Sequence, residues 1–501
     1  MRGDACAIST GATPQCRSSS LRTGCVAGMI ALLLGAPVGA SAEGLPPTVV
    51  AALKAAQIPL AHVAVVVHPV DTRFTLVSHN PRQAMNPASV MKLVTTYAAL
   101  DILGPAWTWR TVAYAEADPV DGKLGGNLYL KGSGDPKFAL EHFWALLRQL
   151  RVRGIEHIVG DLVLDRSILD VPAIDPGAFD DKPMRPYNVG PDGLLINFRA
   201  LRFTLMSDGR QVRVLSETPS EGLRIENRLQ VAKGDCSSDW KDAIATRLIP
   251  DGGGQRLEFS GSYSPQCGEK TLNLAPLDAN GQVEGLFRAL WKELGGGLGG
   301  KVRSGSVPAS ARPVAFQESP PLADVVRDIN KFSNNVMARQ LFLSLGNEAG
   351  PATAERARRR VADWLAGRNL KFPELVIENG SGLSRQERIS AESLDRLLQD
   401  AWKSPVMPEL VSSLPIVGID GTMKKRLKES SASGRAHVKT GTLDGVKTAA
   451  GYALDSQGRR YVVVFLINHP KAQAGGPAID ALLLWVAQRQ AGELPPILEA
   501  D

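Results

Sequence analysis

The sequence predicts an α+β protein in which one domain is assembled from distant segments and carries a mainly β insertion. Three observations lead there. β-Branched runs sit near both ends of the chain, helical patterns adjoin them, and between about 113 and 307 the texture changes to short strand-like pieces broken by Gly, Pro and Asp. Strands at both ends can share one sheet only if the intervening chain leaves and returns, which favours a split domain over a tandem pair.

Taken in order, the first 42 residues read as an export leader. Arg2, Arg17 and Arg22 precede an apolar stretch from Val26 to Leu34, and Ala40-Ser41-Ala42 supplies the small residues of a cleavage site. The stretch is short for a membrane span, so no stable span is expected after cleavage, an uncleaved anchor being the alternative reading. Pro46 to Ala56 predicts a short helix, His62 to His68 and Phe74 to Val77 a strand pair, and Ser89 to Leu103 a helix introduced by Asn86-Pro87-Ala88. Near the other end, Ala436 to Thr442, Thr448 to Ala453 and Tyr461 to Ile467 predict three strands, and Pro477 to Gln490 an apolar helix. The expected division is therefore a split domain over 43–112 and 308–492, an inserted region over 113–307 and a tail over 493–501. Inside the insertion, strands are expected at Gly126 to Leu130, His157 to Asp165, Arg199 to Met206 and Gln211 to Val214, and Gly295 to Gly300 closes the region.

Composition narrows the class. Of 501 residues, 44% are apolar and 22% charged, as in a globular protein, and the net charge of +6 is spread without a basic run interleaved with aromatics. Nucleic acid is not an expected partner. Three of the five cysteines fall in the leader, leaving Cys236 and Cys267, a natural disulfide in an oxidising compartment that would contribute about 3 kcal/mol; two unrelated buried thiols are the alternative. None of the seven histidines has metal-ligand spacing, and no metal or cofactor is expected. His62, His68 and His437 read as structural.

Three short motifs occur in order: Ser89-Val90-Met91-Lys92, Ser333-Asn334-Asn335 and Lys439-Thr440-Gly441. Single matches mean little, since Ser238-Asp239-Trp240-Lys241 and Ser78-His79-Asn80 fit the first two patterns by chance. Context sorts them. Ser89 opens a predicted helix, and Lys92 lies one turn along the same face, within reach of its hydroxyl. A serine needs a base to become a nucleophile, and a lysine serves only if burial and a second cation depress its pKa. Lys439 supplies that cation from a strand beside the helix start. Ser333 can bridge the two lysines and relay a proton, and Asn335 can orient a substrate backbone. Gly441 permits close approach to the strand, Thr440 and Thr442 offer hydroxyls to a carboxylate, and the N–H groups of Ser89 and Thr442 would hold an oxyanion.

This set resembles the active-site-serine penicillin-recognising enzymes, whose fold is the β-lactamase/DD-peptidase type. Nearly half the chain separates Ser89 from Ser333, and so long an insertion is similar to the low-molecular-mass class C penicillin-binding proteins, the D-Ala-D-Ala carboxypeptidase/endopeptidases of peptidase family S13. Lys131 to Pro136 (KGSGDP), Asn379 to Arg385 (NGSGLSR) and Leu414-Pro415 through Gly421-Thr422 extend the resemblance over about residues 45 to 490. Asn379 departs from it, the family usually having Asp there, which puts one loop contact in doubt. Asp180 or Asp181 matches only loosely the insertion residues that bind a diaminopimelate side chain in related enzymes. The resemblance implies a periplasmic enzyme that acts on peptidoglycan stem peptides through a Ser89 acyl-enzyme, with β-lactams as covalent inhibitors. Its rivals are a β-lactamase or esterase on the same scaffold, against which the absence of an E-x-x-L-N loop counts, and a non-catalytic cell-wall binding protein, against which the complete motif set counts.

Overall fold

The computed structural model describes residues 44–490 apart from 71 and 349; the expected leader and tail lie outside the described residues. A five-stranded antiparallel sheet organises the first domain. Its strands run Ala436–Leu443, Val446–Leu454, Arg460–Asn468, Val63–Pro69 and Val77–His79 across the sheet. Val63 pairs with Ile467 and Pro69 with Tyr461, so segments from the two chain ends sit side by side.

Alternation along the strands explains why they are apolar throughout. Val63, Val65, Val67, Val463 and Phe465 pack under helices Pro47–Ala55 and Gly476–Gln488. Ala64, Val66, Val462, Val464 and Leu466 pack on the opposite face against a helical layer that includes Lys92–Leu103, Leu322–Phe332, Asn335–Ser344 and Ala391–Lys403. A sheet covered on both faces needs apolar residues at every position.

Between these segments, Arg110–Ala115 pairs with Arg312–Glu318 in a second five-stranded sheet that also holds Leu128–Lys131, Leu162–Asp165 and Val302–Ser304. Two helices, Leu140–Val152 and Ala279–Glu293, cover it through Phe143, Leu147, Phe287 and Trp291. The predicted strand His157 to Asp165 is broken. His157–Ile158 and Leu162–Asp165 belong to different sheets, and at Gly160 an added Cβ would fall 2.6 Å from Gly126 O. A further β module packs two three-stranded sheets around Phe203 and Phe259, and the Cys236–Cys267 disulfide closes its outer edge. Phe74 to Val77 becomes Val77–His79, a strand of three residues. No helix among the described residues is long and apolar enough to cross a membrane.

Candidate active site

Asn86 fixes the approach to Ser89. Its N–H donates to Asn468 Oδ1 at 2.8 Å, its carbonyl accepts from Asn468 Nδ2 at 3.0 Å, and its own amide donates to Ser384 O at 2.8 Å. Ala88 then takes a left-handed φ of 47°. Ser89 lies not in the first turn of the α-helix, as its pattern predicts, but on a tight 3-10 turn, Ala88–Met91, from which the α-helix Lys92–Leu103 continues. The turn lifts Ser89 to a half-exposed position while Lys92 is fully buried.

Lys92 Nζ has three neighbours: Ser89 Oγ at 3.0 Å, Asn335 Oδ1 at 2.6 Å, and the carbonyl of Ser381. Burial drives its ammonium well below the ordinary lysine range, the cations of Lys439 and Arg339 push the same way, and Glu387 opposes them. Lys439, equally buried, donates to Ser333 Oγ at 2.8 Å and to Thr440 O at 2.7 Å, and burial lowers its pKa to about 7.

One expectation changes here. Ser333 meets Lys439, but the contact with Lys92 belongs to Asn335, so the bridge between the lysines is shared by the two ends of that motif. The chain reverses between them. Ser333 ends helix Leu322–Phe332 in a left-handed conformation, and Asn334 caps helix Asn335–Ser344 by accepting from Met337 N at 3.1 Å.

The strand Ala436–Leu443 forms the edge of the first sheet. Val438 N–H donates outward to Pro415 O at 2.9 Å, and strand alternation turns the N–H groups of Thr440 and Thr442 to the same side. Gly441 is required for a reason beyond substrate access. An added Cβ would fall 2.3 Å from Thr448 Oγ1, 2.8 Å from Pro87 O and 2.9 Å from Ala88 Cβ, so only glycine lets this strand press against the Ser89 turn. Thr448 Oγ1 locks the same contact by donating to Pro87 O at 2.8 Å. Thr440 Oγ1 lies 2.9 Å from Thr422 Oγ1, and Lys447 Nζ donates to the exposed Thr442 Oγ1 at 3.1 Å.

Several residues of the site lie outside the three catalytic motifs, in the Asn379 to Arg385 stretch. Ser381 offers Lys92 its carbonyl, and Gly382 packs so close that a Cβ would fall 1.9 Å from Ala88 O. Asn379 serves this loop well: its Oδ1 accepts from Ser381 N at 2.9 Å, and its Nδ2 donates to Leu383 O at 3.0 Å, a bond an aspartate could not make. Asp180 is engaged locally by Tyr187 and Asn188. The chance matches separate cleanly, since Ser238 and Lys241 are exposed and Asn80 donates to Val63 O at 2.9 Å. His62, His68 and His437 bond to Asn468 O, Asp395 and Val411 O respectively.

The sequence model of the D-Ala-D-Ala carboxypeptidase 3 (S13) family matches residues 48–489. A D-alanyl-D-alanine carboxypeptidase from Actinomadura sp. (strain R39) is 30% identical over 452 residues, covering 86% of this chain and 82% of that protein. D-alanyl-D-alanine carboxypeptidase DacB from Haemophilus influenzae is 25% identical over 397 residues, covering 78% and 82%. The crystal structure of penicillin binding protein 4 from Haemophilus influenzae has the same fold, with a TM-score of 0.70 at 23% identity over 87% of this chain and 99% of that one. On the extent of these sequence matches, the chain belongs to the D-Ala-D-Ala carboxypeptidase 3 (S13) family of serine-type carboxypeptidases.

Proposed function

We propose that Ser89 is the nucleophile and Lys92 its base in a D-Ala-D-Ala carboxypeptidase and DD-endopeptidase that works through an acyl-enzyme. The surroundings of Lys92 Nζ carry this reading. Two of its three neighbours, Asn335 Oδ1 and Ser381 O, can only accept. A neutral amine has two N–H groups for them and one lone pair left, and that pair faces the Ser89 hydroxyl 3.0 Å away. Burial beside Lys439 favours this neutral form.

Ser89 Oγ then attacks the carbonyl of the penultimate D-Ala as its proton passes to Lys92. The N–H groups of Ser89 and Thr442 receive the oxyanion. Ser333 gives its hydroxyl proton to the leaving amine and takes one from Lys439, which is left neutral, and the amine departs as D-Ala or, in a cross-linked substrate, as the partner stem's D-amino acid. Thr440 and Thr442 hold the terminal carboxylate, and the free amide of Asn335 takes a backbone carbonyl. Water then attacks the ester, its proton passing through Ser333 to the now neutral Lys439 while Lys92 gives its proton back to Ser89 Oγ, so that both lysines recover their starting states. A β-lactam acylates the same oxygen and its ring-opened product stays tethered. The leader and the paired cysteines support work in the periplasm on peptidoglycan. The test is labelling with a fluorescent penicillin together with digestion of purified muropeptides analysed by mass. Ser89→Ala should abolish both label and D-Ala release, and a labelled Ser89→Ala protein would refute the assignment.

A further inference from the structure

Below the Ser89–Lys92 pair lies an acidic group that the mechanism does not use. Glu387 is 0% exposed, and its Oε1 alone accepts three successive backbone N–H groups, from Glu378 at 3.2 Å, Asn379 at 3.0 Å and Gly380 at 3.0 Å. Its Oε2 is also buried and has no hydrogen-bond partner among the described residues. A carboxylate shut away from water needs compensation from amides or cations. Here burial pushes the Glu387 carboxyl above its ordinary range, while the three N–H groups of one turn and the Lys92 cation pull it back toward the charged form, and Arg339 also faces it.

That turn is the one on which Lys92 rests. Thr95, on the nucleophile helix, donates to Gly380 O at 2.6 Å, the next carbonyl, of Ser381, accepts from Lys92, and Gly382 lies against Ala88 O and Ser89 N. Gly380 and Gly382 take φ values of 70° and 80°, and an added Cβ on Gly380 would fall 2.7 Å from Phe342 Cβ. The loop is thus clamped between the nucleophile helix on one side and Glu387 on the other.

We infer that Glu387 is a positioning residue for acylation, which holds the 378–382 turn against the Ser89 helix and supplies the buried negative charge opposite Lys92. The inference rests on the reading of Lys92 as the base. Two effects follow, and they separate. Holding the turn fixes where the Ser381 carbonyl directs the amine, which sets the rate of acylation. The charge works on the Lys92 proton: an anion nearby favours the ammonium, against Lys439 and Arg339, which disfavour it. Removing the anion alone makes the neutral amine persist to lower pH.

The experiment measures the second-order rate of acylation of the full chain by a fluorescent penicillin between about pH 5 and 9, in wild type, Glu387→Gln, Glu387→Asp and Ser89→Ala, with circular dichroism as the folding control. Gln keeps the length and an acceptor oxygen but not the charge, and its acid limb should move to lower pH by about one unit. Asp keeps the charge but is too short to reach all three amides, and should lose about tenfold in rate or more with the acid limb unmoved. A folded Gln variant with the wild-type acid limb overturns the electrostatic role. An Asp variant with the wild-type rate overturns the positioning role, and decides alone should the Gln variant not fold. Label retained by Ser89→Ala, or none on wild type, instead removes the premise and the inference with it.

Discussion

At the scale of single residues, the site is a place where stability is sacrificed. Lys439 has no counter-ion among its hydrogen-bond partners, only Ser333 Oγ and Thr440 O. With a folded pKa of about 7 against an ordinary 10.5, the unfolded chain binds an extra proton between those values. Stability from this group therefore rises with pH across that window, and at and below pH 7 the full penalty, on the order of 4 kcal/mol, is present. Lys439→Met should thus stabilise the protein at pH 7, by about 1–3 kcal/mol once the two orphaned oxygens are discounted, while lowering acylation at least about 100-fold. Denaturant melts at several pH values check the sign: the gain should shrink as pH rises through the window and vanish only above 10.5, where the wild-type lysine is neutral in both states. The motif residues were legible in sequence because their spacing places each on an element end. Glu387 was not, and Ser381 was seen only as part of the Asn379 to Arg385 stretch, because their roles come from a backbone turn touching a helix almost 300 positions earlier, a contact no local pattern encodes.

At the scale of elements, the catalytic geometry depends on where helix Leu322–Phe332 ends and the strand Ala436–Leu443 runs, and one ion pair ties both. Lys331, two residues before Ser333, bonds to Asp420 at 2.7 Å and to Leu414 O at 2.6 Å. Asp420 also accepts from Ile416 N at 2.8 Å, and Thr422, two residues on, touches Thr440. Gly421 fits here because its φ is 54° and a Cβ would fall 2.7 Å from Lys331 O. Burial raises the Asp420 carboxyl, but the bonds from Lys331 and Ile416 outweigh it and hold the group below its ordinary range. Asp420→Ala would strand the Lys331 ammonium, whose side chain is 7% exposed. The expected cost is about 2–3 kcal/mol, read as a lower denaturant midpoint, with a fall in acylation as Ser333 loses its brace. The sequence located the main strands well because a β-branched apolar run is a local signal. It misplaced the start of the Ser89 helix and the His157 to Asp165 strand, since a 3-10 turn and a glycine crossing are imposed by neighbouring chain.

At the scale of the whole molecule, the sheet that carries the catalytic strand closes without the outer β module, while that module has its own core and its own cross-link. Phe203, Phe259 and Tyr263 fill its interior, and the disulfide joins positions 31 apart at its edge. The groups that fix Ser89, namely Asn86, Gly382, Gly441 and Thr448, take none of their contacts from it. Stability and chemistry should therefore separate. Replacing both Cys236 and Cys267 by Ser removes a restraint of about 3 kcal/mol from the unfolded module. The expected result is faster proteolytic cleavage within 200–275 and an earlier melting step. Penicillin acylation of Ser89 should keep its wild-type rate at temperatures below that step. Timed proteolysis run alongside fluorescent-penicillin labelling measures both. Loss of label in parallel with cleavage would mean instead that the module helps hold the catalytic domain together, through the contacts that join the inserted chain to helix Asn335–Ser344, such as Arg339 to Val189 O and Gln340 to Asp192 O.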